Sequence, residues 1–298
     1  MTVVSVSRRT DIPALYPDWF INRLSEGYAI SVNPFNLNQA NWVSLEKCDA
    51  DCFVFWSKNP RPLLDSIDRL DGYCYYFQYT LNAYGSDLEP GVPGRGASVA
   101  TFTELSERIG KEKVIWRYDP VVTDDVRTAE WHIAHFGELA AELSPYTEKC
   151  VFSFADPYRK GLRIASDGEM VRISEAFSEI CGKHGLELCT CSERMKFPGI
   201  SRNKCIDDVL IRRLSGKTVD ARRDGQREYC GCVRCSDIGA YDSCTHGCTY
   251  CYANRNQATS ERNRSMHDPE SEILIGHISD ETVIYRNGKA IDKCQRHL

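Results

Sequence analysis

The chain has 298 residues, 42% of them hydrophobic, enough to bury a core within one large α/β domain with an extension or within two smaller domains. Its formal net charge of -5 gives no global attraction to a polyanion, so a nucleic-acid role would need a local basic groove. Met1–Thr10 holds only a short apolar run before Arg8 and Arg9, and no stretch reads as a signal peptide or membrane span, so the expected location is the cytoplasm.

From Val3 to Cys191, short apolar and β-branched runs alternate with longer segments of helical period, the pattern of repeated βα units and a parallel sheet. The expected strands are Val3–Ser7, Tyr28–Val32, Cys52–Trp56, Tyr75–Leu81, Val114–Tyr118, Cys150–Phe154 and Leu186–Cys191. Between them Asp18–Glu26, Pro62–Leu70, Ser98–Ile109, Ala129–Leu143 and Gly168–His184 carry apolar residues three and four apart, as helices covering a sheet should. The fold class expected is α/β: a complete or partial (β/α) barrel of the TIM type over residues 1–191, with a cysteine-rich extension from 192 to 298 packed on its mouth.

The strands end in polar or turn-prone sequences: Ser7-Arg8-Arg9-Thr10-Asp11, Asn33-Pro34, Ser57-Lys58-Asn59-Pro60, Arg117-Tyr118-Asp119-Pro120 and Asp156-Pro157. Each Asn-Pro or Asp-Pro pair by itself is an ordinary strand-to-helix turn. In a parallel barrel, however, these ends share the face that carries the chemistry, which gathers Arg8, Arg9, Asp11, Lys58, Gln78, Arg117 and Asp119 around one cavity. Beyond Cys191 the texture becomes richer in charge and turns, with Asp220–Arg227 expected to be exposed, a short apolar piece at Ile273–Ile278 and a weak strand signal at Thr282–Tyr285.

Fifteen cysteines in a chain with no export signal point to metal or redox use of some of them, because a reducing compartment disfavours structural disulfides. Cys244-Thr-His-Gly-Cys248-Thr-Tyr-Cys251 has the spacing C-x3-C-x2-C. It lets three thiolates converge from one loop on three irons of a [4Fe-4S] cluster and leaves the fourth iron open, with Gly247 permitting the tight turn. A zinc site that adds His246 is the ordinary competitor, but structural zinc sites pair C-x2-C units at a distance. A second group, Cys191, Cys205, Cys230 and Cys232, could ligate a further cluster or a zinc ion, with Cys189 and Cys235 as alternative ligands. Buried free thiols would account for it equally, as they do for the singly placed Cys48, Cys52, Cys74, Cys150, Cys181 and Cys294.

The C-x3-C-x2-C spacing, with Tyr250 before its last cysteine, resembles the radical S-adenosylmethionine (SAM) superfamily. In that superfamily the open iron binds the amino and carboxylate groups of SAM. Thr80–Pro90 and Val114–Val122 resemble strands of the spore photoproduct lyase branch. The whole chain, from residue 3 to about Pro269, resembles a bacterial family defined by the domain of unknown function 1848. The match is carried by Ser7-Arg-Arg-Thr-Asp-Ile-Pro13, Phe55-Trp-Ser-Lys-Asn-Pro60, Trp116-Arg-Tyr-Asp-Pro120, Asp237-Ile-Gly-Ala-Tyr241 and Cys248-Thr-Tyr-Cys-Tyr-Ala-Asn254.

Two features depart from the radical SAM pattern. The cysteine loop follows the barrel segment instead of the first strand, and the chain has no Gly-Gly dipeptide, so the glycine-glycine-glutamate element that holds the SAM amino group is missing.

The resemblance implies a cytoplasmic oxidoreductase acting on a small polar substrate and fed by an electron donor such as a ferredoxin or flavodoxin. Tyr250, Arg8, Arg9 and Gln78 would bind the cofactor, and Asp11, Lys58, Arg117 and Asp119 would serve catalysis. A SAM-independent [4Fe-4S] enzyme (demethylation, desulfurisation or electron transfer) is the second expectation. A nucleic-acid repair or modification protein ranks third, on the basic scatter Arg194, Lys196, Arg202, Lys204, Arg212, Arg213, Arg222 and Arg223.

Overall fold

The computed structural model describes residues 2–156, 163–225 and 227–291; Pro157 of the Asp156-Pro157 turn and Cys294 lie outside the described residues. In chain order its elements are β1 (Thr2–Val6), α1 (Ile12–Leu15), α2 (Pro17–Glu26), β2 (Tyr28–Val32), β3 (Gln39–Ser44), β4 (Ala50–Ser57), α3 (Arg61–Leu64), β5 (Tyr75–Thr80) and α4 (Arg95–Ile109). There follow β6 (Val114–Val121), α5 (Ala129–Leu143), β7 (Lys149–Phe154), α6 (Asp167–His184), β8 (Glu187–Thr190), β9 (Ser201–Arg202), α7 (Asp208–Ser215), β10 (Ser236–Asp237), α8 (Gln257–Ser265), β11 (Val283–Arg286) and β12 (Lys289–Ile291).

Eight strands form one sheet in the order β10-β1-β4-β5-β6-β7-β8-β9, parallel at every pairing. Its edges are β10 and β9, so the α/β architecture is an open sheet consistent with a partial barrel. Central strands such as β4 and β5 are buried on both faces, as parallel strands covered on both sides must be. On one face Phe55, Phe77, Trp116 and Phe152 pack with Phe20, Phe102, Phe136 and Phe177 from the helices; the Phe136 and Phe177 rings stack at 3.7 Å and join α5 to α6. On the other face Val54, Tyr76, Ile115 and Val151 meet Leu210 and Ile211 of α7 together with Val219 and Val233. The inner face of the sheet is thus filled by chain from beyond residue 200.

Tyr28–Val32, expected in the parallel series, is not part of it. The six-residue connection 33–38 is long enough for a hairpin but too short for a parallel crossover, so β2 pairs antiparallel with β3 in a second sheet of order β12-β11-β3-β2. Pro62–Leu70 is broken into α3 and a 3-10 turn at Ile67–Leu70, with Asp65 and Ser66, both turn-forming residues, at the break. Ala129–Leu143 is helical throughout, opened by the Thr128 hydroxyl accepting from the Trp131 amide. No helix among the described residues is long and apolar enough to cross a membrane.

His132 of α5 is buried with both ring nitrogens engaged, Nδ1 2.9 Å from the Tyr118 hydroxyl and Nε2 2.9 Å from the Val122 carbonyl oxygen. Burial pushes its pKa down to about 4 from 6.5, although the Val122 carbonyl and Asp124 pull the other way. A histidine lowered on folding is neutral in the fold and protonated first in the unfolded chain, so stability falls as pH drops from 6.5 towards 4. At about 1.4 kcal/mol per pH unit this amounts to up to about 3 kcal/mol. Urea titrations at the two ends of that window should show His132→Asn losing correspondingly less stability on acidification than the parent; equal losses would refute the assignment.

Candidate metal centre and strand-end site

The loop carrying Cys244, Cys248 and Cys251 lies over the C-terminal ends of the parallel strands. Gly247, at φ +70°, supplies the left-handed turn between the first two cysteines. The loop is tied to the segments that leave β1 and β5. The Tyr16 hydroxyl donates to the Ser243 carbonyl (2.6 Å), His246 Nε2 meets Asp11 Oδ2 (2.9 Å), and Thr249 N donates to the Leu88 carbonyl (3.0 Å). His246 Nδ1 meets the Gly91 carbonyl (2.9 Å) while Gly91 N donates to the His246 carbonyl (2.8 Å). A Cβ at Gly91 would stand 2.8 Å from the His246 Cα, so only glycine lets the two backbones approach this closely. With both ring nitrogens engaged, His246 fastens the loop and is not placed as a zinc ligand.

Asp11 is the anchor on the barrel side. Its carboxylate accepts from the Ser57 hydroxyl (2.7 Å), Lys58 N (2.7 Å) and Ala14 N (3.1 Å) besides facing His246. Burial alone would raise its pKa, but the His246 hydrogen bond and charge, with those donors, hold it below the usual carboxylate range. The same contact raises His246 against its own burial, so the two form a buried ion pair.

Next to it Lys58 Nζ meets Glu89 Oε1 at 2.9 Å and lies 5.5 Å from the centre of the Tyr250 ring, while the Tyr250 hydroxyl donates to Glu89 and Asn82 Nδ2 reaches the same oxygen at 2.9 Å. Burial would lower Lys58, but Glu89 and Cys248 leave it raised; Lys58, Tyr250 and Asn82 in turn hold Glu89 low in spite of its burial. Lysine and glutamate are therefore a charged pair in a largely dry site.

Cys244 feels the charge of Cys251 and Cys248, Cys248 feels that of Cys251, and burial, the largest influence, lifts Cys248 to about 12 and Cys244 higher still. As free thiols they hold their protons; a metal would have to displace them. The donor set fits an iron–sulfur cluster: three thiols from one loop beside a lysine, with Tyr250 packed against Val122, Ala155 and Cys248. Among the described residues no three His, Cys, Asp or Glu side chains already stand about one point as a single metal ion would have them.

Of the residues expected at the strand ends, Asp11 and Lys58 come together beneath the loop with Tyr250. Arg117 and Asp119 pair with each other: Arg117 Nε donates to Asp119 Oδ2 at 3.1 Å, and Asp119 also accepts from Ser153. Gln78 and Arg117 sit deeper, against Cys205: Gln78 Nε2 donates to the Cys205 carbonyl (3.1 Å) and Arg117 Nη1 to its sulfur (3.0 Å). Arg8 reaches Cys235 Sγ (3.1 Å) and stacks over Trp56, while Arg9 lies 3.8 Å from Asp237 and over Tyr241.

Sequence reasoning missed Glu89, Asn82, Ser57 and Gly91, and considered His246 only as a metal ligand. No periodicity marks a loop carboxylate that becomes buried; its nearest signal was its place in the Thr80–Pro90 segment. Lys204, Arg213 and Arg222 pair with Asp208, Glu148 and Asp220, the balanced surface that such a basic scatter usually forms. Cys48 is exposed, whereas Cys150 and Cys181 are buried in the core as expected.

The family profile described as "Domain of unknown function (DUF1848)" matches residues 3–253. The chain belongs to this family. The matched span takes in β1, the strand ends and all three cysteines of the loop. No curated protein matches the chain. Among solved structures, a Bacteroides thetaiotaomicron VPI-5482 protein described as an alpha-L-fucosidase aligns at 12% identity over 62% of this chain and 81% of that one, with a TM-score of 0.28. That likeness is too low to bear on fold or activity.

Removing the anchor should be costly. Asp11→Ala would leave the buried His246 charge and two N–H donors without partners, a loss of about 3–5 kcal/mol in urea unfolding. Asp11→Asn, which keeps hydrogen-bonding capacity, should lose clearly less; equal losses would mean that the charge pair is not what holds the loop.

Proposed function

We propose that this member of the DUF1848 family is a cytoplasmic iron–sulfur oxidoreductase of the radical SAM type acting on a small polar substrate. In this reading residues 1–191 form a partial (β/α) barrel, and the extension from 192 carries a [4Fe-4S] cluster on Cys244, Cys248 and Cys251 over its mouth. The observation that carries the reading is the seating of a C-x3-C-x2-C loop, by His246 and Tyr250, above the ends of parallel strands and against the buried Lys58–Glu89 pair. When bound and reduced, such a cluster supplies one low-potential electron for reductive cleavage of SAM.

The chain's own groups do the rest. Asp11 and His246 keep the loop at a fixed height over β1. Lys58, held charged by Glu89, offers a cation beside Cys248 for an anionic group of the cofactor or substrate. Asp119, oriented by Arg117 and Ser153, presents a carboxylate at the end of β6, and Arg8 and Arg9 supply donors at the end of β1 for a polar ligand, while Gln78 stays held by the Cys205 carbonyl beneath them. Electrons would come from a ferredoxin- or flavodoxin-like donor.

A SAM-independent cluster enzyme is the second reading. It is favoured by the missing Gly-Gly pair and by Glu89, a buried carboxylate beside the loop already engaged by Lys58, Tyr250 and Asn82.

Anaerobically purified protein should contain iron and sulfide, and the EPR signal of its reduced form should change on adding SAM, with release of 5′-deoxyadenosine. A cluster signal indifferent to SAM would select the second reading, and absence of iron after reconstitution would overturn both. Gly91→Ala, which pushes His246 and its loop off the strand ends, should lower iron content several-fold while leaving the far-ultraviolet circular dichroism unchanged.

A further inference from the structure

The second group of thiols is assembled inside the sheet. Cys191 follows β8, Cys205 follows β9, and Cys230 and Cys232 return from the segment after α7, yet all four are buried together on the inner face. Cys191 Sγ and Cys205 Sγ stand 3.5 Å apart, and Cys232 and Cys230 lie in the same buried cluster, near enough for neighbouring thiols to shift one another's pKa. The two alternative thiols turn elsewhere: Cys189 to Glu187 (3.3 Å) and Cys235 to Arg8 (3.1 Å).

Several hydrogen-bond donors converge on this group, although the neighbouring thiols and burial raise the pKa of Cys191, Cys205 and Cys232, so that as free thiols they keep their protons. A neutral thiol is a weak acceptor. Here Cys205 Sγ receives Arg117 Nη1 at 3.0 Å and Asn203 Nδ2 at 3.5 Å, and Cys232 Sγ receives the Ile206 amide at 3.4 Å. Arg117, only 4% exposed, is also near enough to Cys191 for the two to influence each other's charge. Besides its ion pair to Asp119 and a 3.2 Å bond from Nη1 to Gln78 Oε1, the guanidinium turns that same Nη1 toward sulfur.

We propose that Cys191, Cys205, Cys230 and Cys232 form a closed tetrathiolate zinc site inside the sheet, separate from the Cys244–Cys251 loop. The one measured spacing, between Cys191 and Cys205, favours zinc over a second cluster. Thiolates on one tetrahedral ion with a metal–sulfur distance of about 2.3 Å stand about 3.8 Å apart, close to the 3.5 Å of Cys191 and Cys205, whereas thiolates on separate corners of an iron–sulfur cube stand wider. As free thiols the four do not yet surround one point, and the ion would draw them inward around it. Each ligand releases its proton to solvent on binding, and the resulting charge of -2 on the Zn²⁺ tetrathiolate is offset by Arg117 and by Arg8 close by. With no open position the site is structural. It clamps α7 and the Cys230–Val233 stretch onto strands they cannot reach by sequence.

The proposal does not depend on the cluster assigned above, and the test separates them. A Cys244→Ser, Cys248→Ser, Cys251→Ser triple variant should retain about one zinc per chain, with a zinc-edge X-ray absorption shell of four sulfurs at about 2.3 Å. Adding Cys232→Ser should reduce its zinc content at least severalfold, whereas adding Cys235→Ser should leave it unchanged. Iron and sulfide in place of zinc in the triple variant, a mixed nitrogen or oxygen shell, or metal-free protein with these thiols free or joined in a disulfide would each overturn the proposal. The absorption shell decides the matter even if the Cys232 variant fails to fold.

Discussion

The Asp11–His246 contact joins two parts of the chain 235 residues apart, and the geometry of the strand ends follows from it. A carboxylate left alone at this depth would be expelled or protonated, so it must be surrounded by donors. Ala14 in the same turn and Ser57 and Lys58 at the end of β4 supply three of them, and the fourth comes from the middle of the cysteine loop. Because the remaining imidazole nitrogen is held by Gly91 at the exit of β5, the loop is fixed against two strands at once. The positions of Cys244 and Cys248, on either side of His246, are set by that pair of contacts.

The sheet is held differently on its two faces. Its outer face is a conventional aromatic core covered by helices. Its inner face is closed by α7 and the returning Cys230–Val233 segment, and polar groups penetrate that layer: the Tyr76 hydroxyl donates to the Cys205 carbonyl at 2.6 Å and Arg117 reaches the same residue's sulfur. Arg117 therefore connects the strand-end carboxylate Asp119 to the buried thiols. A change at the thiols would be felt at Asp119 through a single guanidinium.

Much of the framework was legible because it rests on period. β4, β5, β6 and β7 and helices α4, α5 and α6 fall within a few residues of the expected segments, since each carries its apolar pattern in local sequence. Period could not say which sheet Tyr28–Val32 joins, because an apolar strand reads alike in either; the length of its connection to the next strand held that information. The cysteine loop was visible from spacing alone, and so was the candidacy of the four further thiols, but Glu89 and Gly91 were not. Their importance lies in what approaches them from the far end of the chain, which leaves no local mark.

The sequence by itself determined the alternation of strand and helix, the C-x3-C-x2-C loop and membership of its family, because short-range spacing and composition are enough to specify each. Tertiary structure decided that the sheet stays open with its inner face filled by the chain beyond residue 200. It also decided that His246 serves Asp11, and that Lys58 is neutralised by Glu89 beneath Tyr250. These are matters of burial: in a dry interior every charge needs a partner within hydrogen-bond reach, and which groups meet depends on how the whole chain packs.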